Sequence, residues 1–374
     1  MNLPSDIVLE SVFWIMAGAF VIQVVFLLIV YGRYAFKKAV PQPDGDMPPL
    51  SVVICAKNEF HNLSRNLPLI LDQNYPEYEV VVVDDASDDE TLFYLEELKQ
   101  KHPNLKVVRI DQDVNFFRGK KFPLSLGIKS AKYEYLLLTD ADCTPAGRDW
   151  IKLMSAPWSA GKEVVLGYGP YETATGFLNK VIRFETAMTA LQYFSWATWG
   201  KPYMGVGRNL AYPRKLFLEA GGFTKHYQIP SGDDDLFINQ VANKSNTAIV
   251  DQPDSFMISP PKKTWSEWWR QRTRHMDAGK FYRLSTRLRL AVYPLSLLLF
   301  YLSAIILFTT GSIILPAIML IIRTVAFIAV FYFSIRKLHE KKLLLFSPLI
   351  EAGLLVAYPV MLLIKPKGRK LRWK

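Results

Sequence analysis

The apolar positions of this chain fall into two regimes. In the first, almost uncharged runs persist for about twenty residues, the length an α-helix needs to cross a bilayer. Residues 12–31 form one such run. Residues 290–309 and 313–333 form two more on either side of Thr310-Gly311-Ser312, and residues 343–364 form a fourth, interrupted by Pro348, Glu351 and Pro359. In the second regime, from residue 50 to about residue 283, short apolar runs alternate with helical periodicity. Leu50-Ser51-Val52-Val53-Ile54-Cys55-Ala56 predicts a buried strand and residues 60–71 a helix. Val80-Val81-Val82-Val83 predicts a second strand, residues 90–100 a helix, residues 106–110 a third strand and residues 120–130 another helix. A fourth strand, Tyr135-Leu136-Leu137-Leu138, runs into Thr139-Asp140-Ala141-Asp142. Uniformly apolar strands alternating with helices predict an α/β domain whose parallel sheet is covered on both faces.

In such sheets ligands collect outside the carboxyl ends of the strands. Three polar clusters sit at those ends here: Lys57-Asn58-Glu59, Asp84-Asp85 and Asp140-Ala141-Asp142. Side chains two apart on an extended chain project the same way, so Asp140 and Asp142 could share a divalent cation with positions left for a diphosphate. Taken alone the segment also reads as a strand followed by a polar turn. Mn²⁺ or Mg²⁺ suits carboxylate and phosphate oxygens, and no Cys/His cluster points to zinc. Asp85 is suited to accept hydrogen bonds from a nucleobase. Gly119-Lys120 opens a helix, where backbone N–H groups and a lysine together suit a phosphate. No strand is followed by Gly-x-Gly-x-x-Gly or by a Gly-Lys-Ser/Thr phosphate loop, which argues against a nicotinamide enzyme and a P-loop nucleotidase.

Ser231-Gly232-Asp233-Asp234-Asp235-Leu236 places three carboxylates in a row. They read either as a solvated helix amino terminus or as a general base for an acceptor hydroxyl, with mutual repulsion raising one pKa. Trp265-Ser266-Glu267-Trp268-Trp269-Arg270-Gln271-Arg272-Thr273-Arg274-His275 fits an interfacial helix, its tryptophans at headgroup level. Arg272 and Arg274 fit headgroup contacts, while Gln271 and Arg274 share a helical face from which they could reach a diphosphate.

Composition narrows the setting. Half of the 374 residues are hydrophobic, and a mean hydropathy of +0.10 is high for a soluble protein. The net charge of +11 is concentrated at residues 270–289 and 365–374, beside the apolar runs, so anionic lipid headgroups explain it better than nucleic acid. A cleaved signal peptide fits the first run poorly, because Asp6 and Glu10 precede it and Arg33, Lys37 and Lys38 follow it. The same asymmetry predicts an external amino terminus and a cytoplasmic soluble domain. The two cysteines, Cys55 and Cys143, agree with a reducing compartment. The segment 343–364 is expected to be re-entrant or interfacial, because a spanning Glu351 is costly and a full span would put the basic tail outside.

In this order the motifs resemble those of the family 2 inverting glycosyltransferases with a GT-A fold. The resemblance covers about residues 50–279. It rests on Ala56-Lys57-Asn58-Glu59, Asp84-Asp85-Ala86-Ser87, Gly119-Lys120, Asp140-Ala141-Asp142, and Gly205-Val206-Gly207-Arg208-Asn209-Leu210-Ala211 with Gly221-Gly222-Phe223. Asp233-Asp234 and Gln271-Arg272-Thr273-Arg274-His275 complete it. Together with the apolar runs it gives a transmembrane anchor at 1–34, a GT-A domain with a mixed, mostly parallel sheet at 48–262, and an interfacial helix region at 263–288. Membrane segments at 289–365 and a basic tail at 366–374 follow. It implies donor binding, UDP-sugar foremost, by Ala56, Asn58, Glu59, Asp84, Asp85, Gly119, Lys120, Asp140, Gln271 and Arg274. Asp142, with Asp140, is expected to hold Mn²⁺ or Mg²⁺, and Asp234 to be the base within the run Asp233 to Asp235. Gly207, Asn209 and His275 are expected to face a lipid or glycan acceptor. The setting implied is a bacterial inner membrane with multiple passes and a cytoplasmic catalytic domain. His275 stands where the family has Trp, and the carboxyl-terminal membrane cluster is small for a polysaccharide channel. Both features favour a single transfer over a processive polysaccharide synthase. A membrane scaffold that has lost catalysis is the remaining rival.

Overall fold

The computed structural model describes residues 5–38, 47–111, 119–229 and 231–364. The expected basic tail at 366–374 lies outside them. The chain divides into two compact units, one built from residues 1–38 and 282–365, the other mainly from residues 39–281.

In the first unit α1 (Ser5–Val25) continues through a π-helical stretch, Phe26–Tyr31, into α2 (Gly32–Ala35). In the second, β1 (Leu50–Ala56), α3 (Phe60–Leu71), β2 (Tyr78–Asp85), α4 (Thr91–Lys101), β3 (Leu105–Ile110), α5 (Lys121–Ser130) and β4 (Tyr135–Asp140) follow the alternation read from the sequence to within a residue or two. Then come β5 (Thr144–Pro145), α6 (Trp150–Ser159), β6 (Val164–Leu166), α7 (Phe177–Thr198), β7 (Leu210–Pro213) and α8 (Arg214–Glu219). The unit closes with α9 (Asp235–Val241), β8 (Thr247–Ile249), β9 (Met257–Ile258) and α10 (Trp265–Gly279). The first unit resumes with α11 (Leu284–Thr309), α12 (Ile314–Lys337) and α13 (Ser347–Leu363).

Seven strands form one sheet in the order β3-β2-β1-β4-β7-β6-β8. The four strands with long apolar runs pair in parallel, while β7 runs antiparallel to both β4 and β6. Every residue of β1 is buried, as a strand covered on both faces requires. Its register aligns Ala56 with Asp84 of β2 and Cys55 with Asp140 of β4, so the polar ends of three strands meet at one edge of the sheet. Helix α5 lies close against β1 and β2. A Cβ on Gly127 would come within 2.7 Å of Val53 Cγ1 and 2.9 Å of Val83 Cγ2, which only a glycine avoids. The small β5–β9 sheet, which pairs Thr144 with Ile258, fixes the chain just after Asp142.

Among its described residues the other unit contains four helical segments long and apolar enough to cross a membrane: Asp6–Ala35, Leu284–Thr309, Ile314–Lys337 and Leu344–Leu363. Met16, Ala19, Phe300, Ala304 and Leu307 pack together between α1 and α11. A polar cluster lies buried in the same bundle. Arg323 of α12 grips Glu351 of α13 with two parallel bonds, Nη1–Oε2 at 2.5 Å and Nη2–Oε1 at 2.8 Å. Gln23 of α1 accepts from Arg323 Nη2 at 3.1 Å and donates to Ser296 Oγ at 2.8 Å. The Tyr293 hydroxyl of α11 accepts from Arg323 at 3.0 Å and donates to Glu351. The carboxylate that argued against a fourth span therefore faces a partner inside the bundle, which removes the cost of exposing it to lipid.

Candidate active site

The site is assembled from the strand ends. Past β1 the chain turns through Asn58, at φ 55°, and past β2 through Ala86, at φ 49°. Both are left-handed conformations that L-residues adopt at a cost, which the sheet and the turn contacts offset. The two turns lock together: Asn58 N–H donates to Ser87 Oγ at 2.9 Å and Asp88 N–H donates to Asn58 Oδ1 at 2.8 Å. Asn58 thus shapes the loop. Glu59, 8% exposed, accepts from the Asn62 amide and opens α3. Ala56 is fully buried and Asp84 is 1% exposed, so both lie beneath the surface of the strand ends. Burial pushes the Asp84 carboxyl up, and its Oδ1 has no hydrogen-bond partner. Asp85 remains half-buried at the edge, with Lys57 Nζ 3.9 Å from its Oδ2.

Gly119, at φ 94°, turns the chain into α5. The next residue, Lys120, forms an ion pair with Asp140. Burial disfavours the Lys120 ammonium, but Asp140, Cys55 and Asp233 more than offset this and raise it above the usual lysine range. Asp140 is held down in turn: burial opposes ionisation, but Lys120, Arg208 and Arg274 favour it. One ligand atom each of Asp140, Asp142 and Cys143 lie within 4.8 Å of one another. The donor set fits a hard divalent cation, because Asp140 and Asp142 offer carboxylate oxygens. Cys143 fits less well: burial pushes its thiol well up, and its Sγ lies 3.1 Å from Ser259 Oγ.

Across the site, Asp234 caps the amino end of α9, its Oδ1 accepting from Asp235 N–H at 2.8 Å. Its Oδ2 accepts from Gly207 N–H, also at 2.8 Å. Burial first, then repulsion from Asp233 and Asp235, pushes the Asp234 carboxyl up to about 8. Asp235 is 9% exposed and is itself held by Leu236 N–H at 2.7 Å. Asp233 lies near Lys120 and Lys121, whose charges feel it. The acidic run therefore has three environments rather than one solvated face.

The residues expected to face the acceptor lie in three different surroundings. Gly207 spends its N–H on Asp234, so it orients that carboxylate. Asn209 is fully buried. Its amide donates to the Tyr168 and Ser255 carbonyls, both at 2.8 Å, and accepts from Trp150 Nε1 at 3.0 Å, so its side chain ties together the backbone behind the site. His275 is exposed on α10, and desolvation in the site together with the neighbouring cations Arg272, Arg274, Arg208 and Lys262 lowers its imidazolium well below the usual range.

Helix α10 opens with a capping box between Thr264 and Glu267. Of its three arginines, Arg274 favours the ionised Asp140 through its charge. Arg272 is no headgroup contact: it pairs with Glu185 of α7, 5% exposed, which also accepts from Trp268 Nε1 at 3.1 Å. Gln271 donates to the Tyr171 hydroxyl at 3.1 Å, and the Arg208 guanidinium lies 4.5 Å above the same ring. Arg208, Tyr171 and Glu185 had no role in the sequence reading. Nothing local marks Glu185, whereas a cation inside the Gly205–Ala211 motif was a usable signal for Arg208.

A model of the family described as glycosyl transferase family 2 matches residues 51–222, and one described as glycosyl transferase family group 2 matches residues 153–335. A probable glycosyltransferase of Bacillus subtilis, YdaM, is 26% identical over 246 residues, 63% of this chain and 56% of that protein. A poly-β-1,6-N-acetyl-D-glucosamine synthase of Staphylococcus epidermidis is 38% identical over 93 residues, 25% of this chain and 21% of the synthase. The chain thus spans about half the length, or less, of these relatives. Among solved structures, the mannosyltransferase PcManGT of Pyrobaculum calidifontis in complex with GDP-Man and Mn²⁺ has the same fold. Its TM-score is 0.62 at 20% identity, with 96% of this chain and 100% of that one covered.

Proposed function

The chain belongs to family 2 of the glycosyltransferases, and on that footing we propose that it is a metal-dependent inverting enzyme of a bacterial inner membrane. Its donor is a nucleotide sugar, UDP-linked foremost, and its acceptor a lipid or a membrane-proximal glycan. One observation carries the reading: Gly207, which donates to Asp234, lies just before β7, whose Leu210 pairs with Leu138 of β4, so Asp234 is held near the strand end that carries the Asp140–Lys120 pair.

Asp140 and Asp142 would hold Mn²⁺ or Mg²⁺, which supplies Lewis-acid stabilisation of the diphosphate leaving group. Lys120 and Arg274 add positive charge where the diphosphate becomes more negative as it departs. Asp85 would accept hydrogen bonds from the base of the nucleotide. The hydroxyl oxygen of the acceptor attacks the anomeric carbon from the face opposite the diphosphate. Its proton passes to Asp234, the C–O bond to phosphate breaks, and the electron pair leaves with the diphosphate. Gly207 and the Asp235 amide hold the two Asp234 oxygens in place, which keeps the base aimed.

The likeness to a poly-N-acetylglucosamine synthase supports a second reading, processive elongation; product length, one sugar or a ladder, separates the two. The direct test is a screen of nucleotide sugars for turnover by the purified chain in detergent. Replacing Asp234→Asn should cost 10²–10⁴-fold in transfer with nucleotide binding retained. Wild-type rates in that variant would reject Asp234 as the base.

A further inference from the structure

Two adjacent lysines at the start of α5 do different work. Lys120 turns to Asp140. Lys121 turns the other way and is 1% exposed. Its ammonium donates to the carbonyl of His226 at 2.5 Å and to that of Ile229 at 2.8 Å. Those carbonyls belong to the turn that follows Phe223 and leads in sequence into Ser231-Gly232-Asp233-Asp234.

An ammonium taken out of water is costly unless its donors are satisfied. A residue needed only for packing would serve better as Leu or Met. Here the charged head is spent on two backbone carbonyls of one turn, a bond pattern that fixes backbone position rather than neutralising charge. Burial lowers the Lys121 ammonium, and Asp233, Asp235 and Asp234 draw it back up, so the acidic run senses the same group. Helix α5 itself packs closely against β1 and β2 at Gly127. A closely packed helix therefore reaches through Lys121 to the segment that delivers the acidic run.

We propose that Lys121 is a positioning residue for the transfer step, a strut that sets the Asp233–Asp235 segment relative to the helix carrying Lys120. The proposal rests on the reading of Asp234 as base. Neither lysine substitutes for the other, because one serves the donor side and one the acceptor side.

The test compares Lys121→Met, Lys121→Gln, Asp234→Asn and the double variant Lys121→Met/Asp234→Asn in the full chain in detergent. Three quantities are measured: kcat and donor KM for transfer, and binding of UDP with Mn²⁺. Displacing a base by an ångström costs on the order of 10²-fold, so Lys121→Met should lose about that much in kcat. Donor KM and UDP binding should stay within twofold, and Lys121→Gln, which retains an amide donor, should fall between. In the Asp234→Asn background Lys121→Met should add little, because residues acting as a unit are non-additive. Near-wild-type kcat in Lys121→Met, or a full additional loss in the double variant, overturns the strut. Loss of UDP binding in both Lys121 variants also overturns it and assigns Lys121 to the fold. Wild-type activity in Asp234→Asn alone would instead sink the base assignment.

Discussion

Each of the two units buries a cation against a carboxylate, and the two pairs are finished differently. In the helical unit Arg323 and Glu351 have side-chain exposures of 0% and 5%, and Gln23 and Tyr293 close the remaining sides. In the sheet unit Lys120 is 12% exposed, but its partner Asp140 keeps 40% of its side-chain surface open. A closed pair of this kind holds helices together and has no room for a ligand. An open pair leaves carboxylate oxygens accessible to another cation. Composition alone does not separate them; the neighbours do.

The comparison breaks most visibly at Asp142. The metal's charge stabilisation is worth several kcal/mol, so Asp142→Asn should cost roughly 10³-fold in transfer and blunt the response to added Mn²⁺. Activity equal to wild type across an Mn²⁺ titration would mean that the open pair is not a metal anchor.

The closed pair should fail in stability instead. Glu351→Ala leaves Arg323 buried without its carboxylate, a loss of about 3–5 kcal/mol, read as a lower unfolding midpoint in detergent with donor KM unchanged. The double variant Arg323→Leu/Glu351→Leu should recover most of that stability. A Glu351→Ala protein of normal stability but altered kinetics would make the helical cluster functional and erase the distinction.

The smallest effect is in pH. A base works deprotonated, and Asp234 is pushed up to about 8. Raising pH through that value frees the carboxylate, so kcat/KM should climb about tenfold per unit below pH 8 and level off above it. A profile already flat at pH 6 would place the activated carboxyl elsewhere. The Asp234→Asn variant should lose this limb.

Much of this was legible in the chain itself. The runs 50–56, 80–83 and 135–138 are long and apolar enough that only buried strands accommodate them, and their acidic ends follow from the topology of parallel sheets. The three-residue strands β6 and β8 and the two-residue β5 and β9 carry no such run; tertiary pairing alone defines them. Asp140 and Asp142 could be read because their chemistry is local. Asn209 misled, since a polar residue in a glycine-rich motif gives no sign that its amide is sealed among backbone carbonyls. Arg272 was unreadable for a similar reason: its partner Glu185 is distant in sequence. Glu351 was recognised as costly in an apolar segment, but its partner Arg323 sits on a neighbouring helix, and the pairing exists only in three dimensions.

The contact at Gly127 has an evolutionary consequence. The methyl groups of Val53 and Val83 occupy the space that any larger residue at 127 would need. Sequence drift at these three interior positions is therefore not independent, because the helix they seat carries both lysines. A change in the hydrophobic interior would propagate to donor and acceptor sides together, and compensation would have to come from the sheet rather than from the catalytic residues.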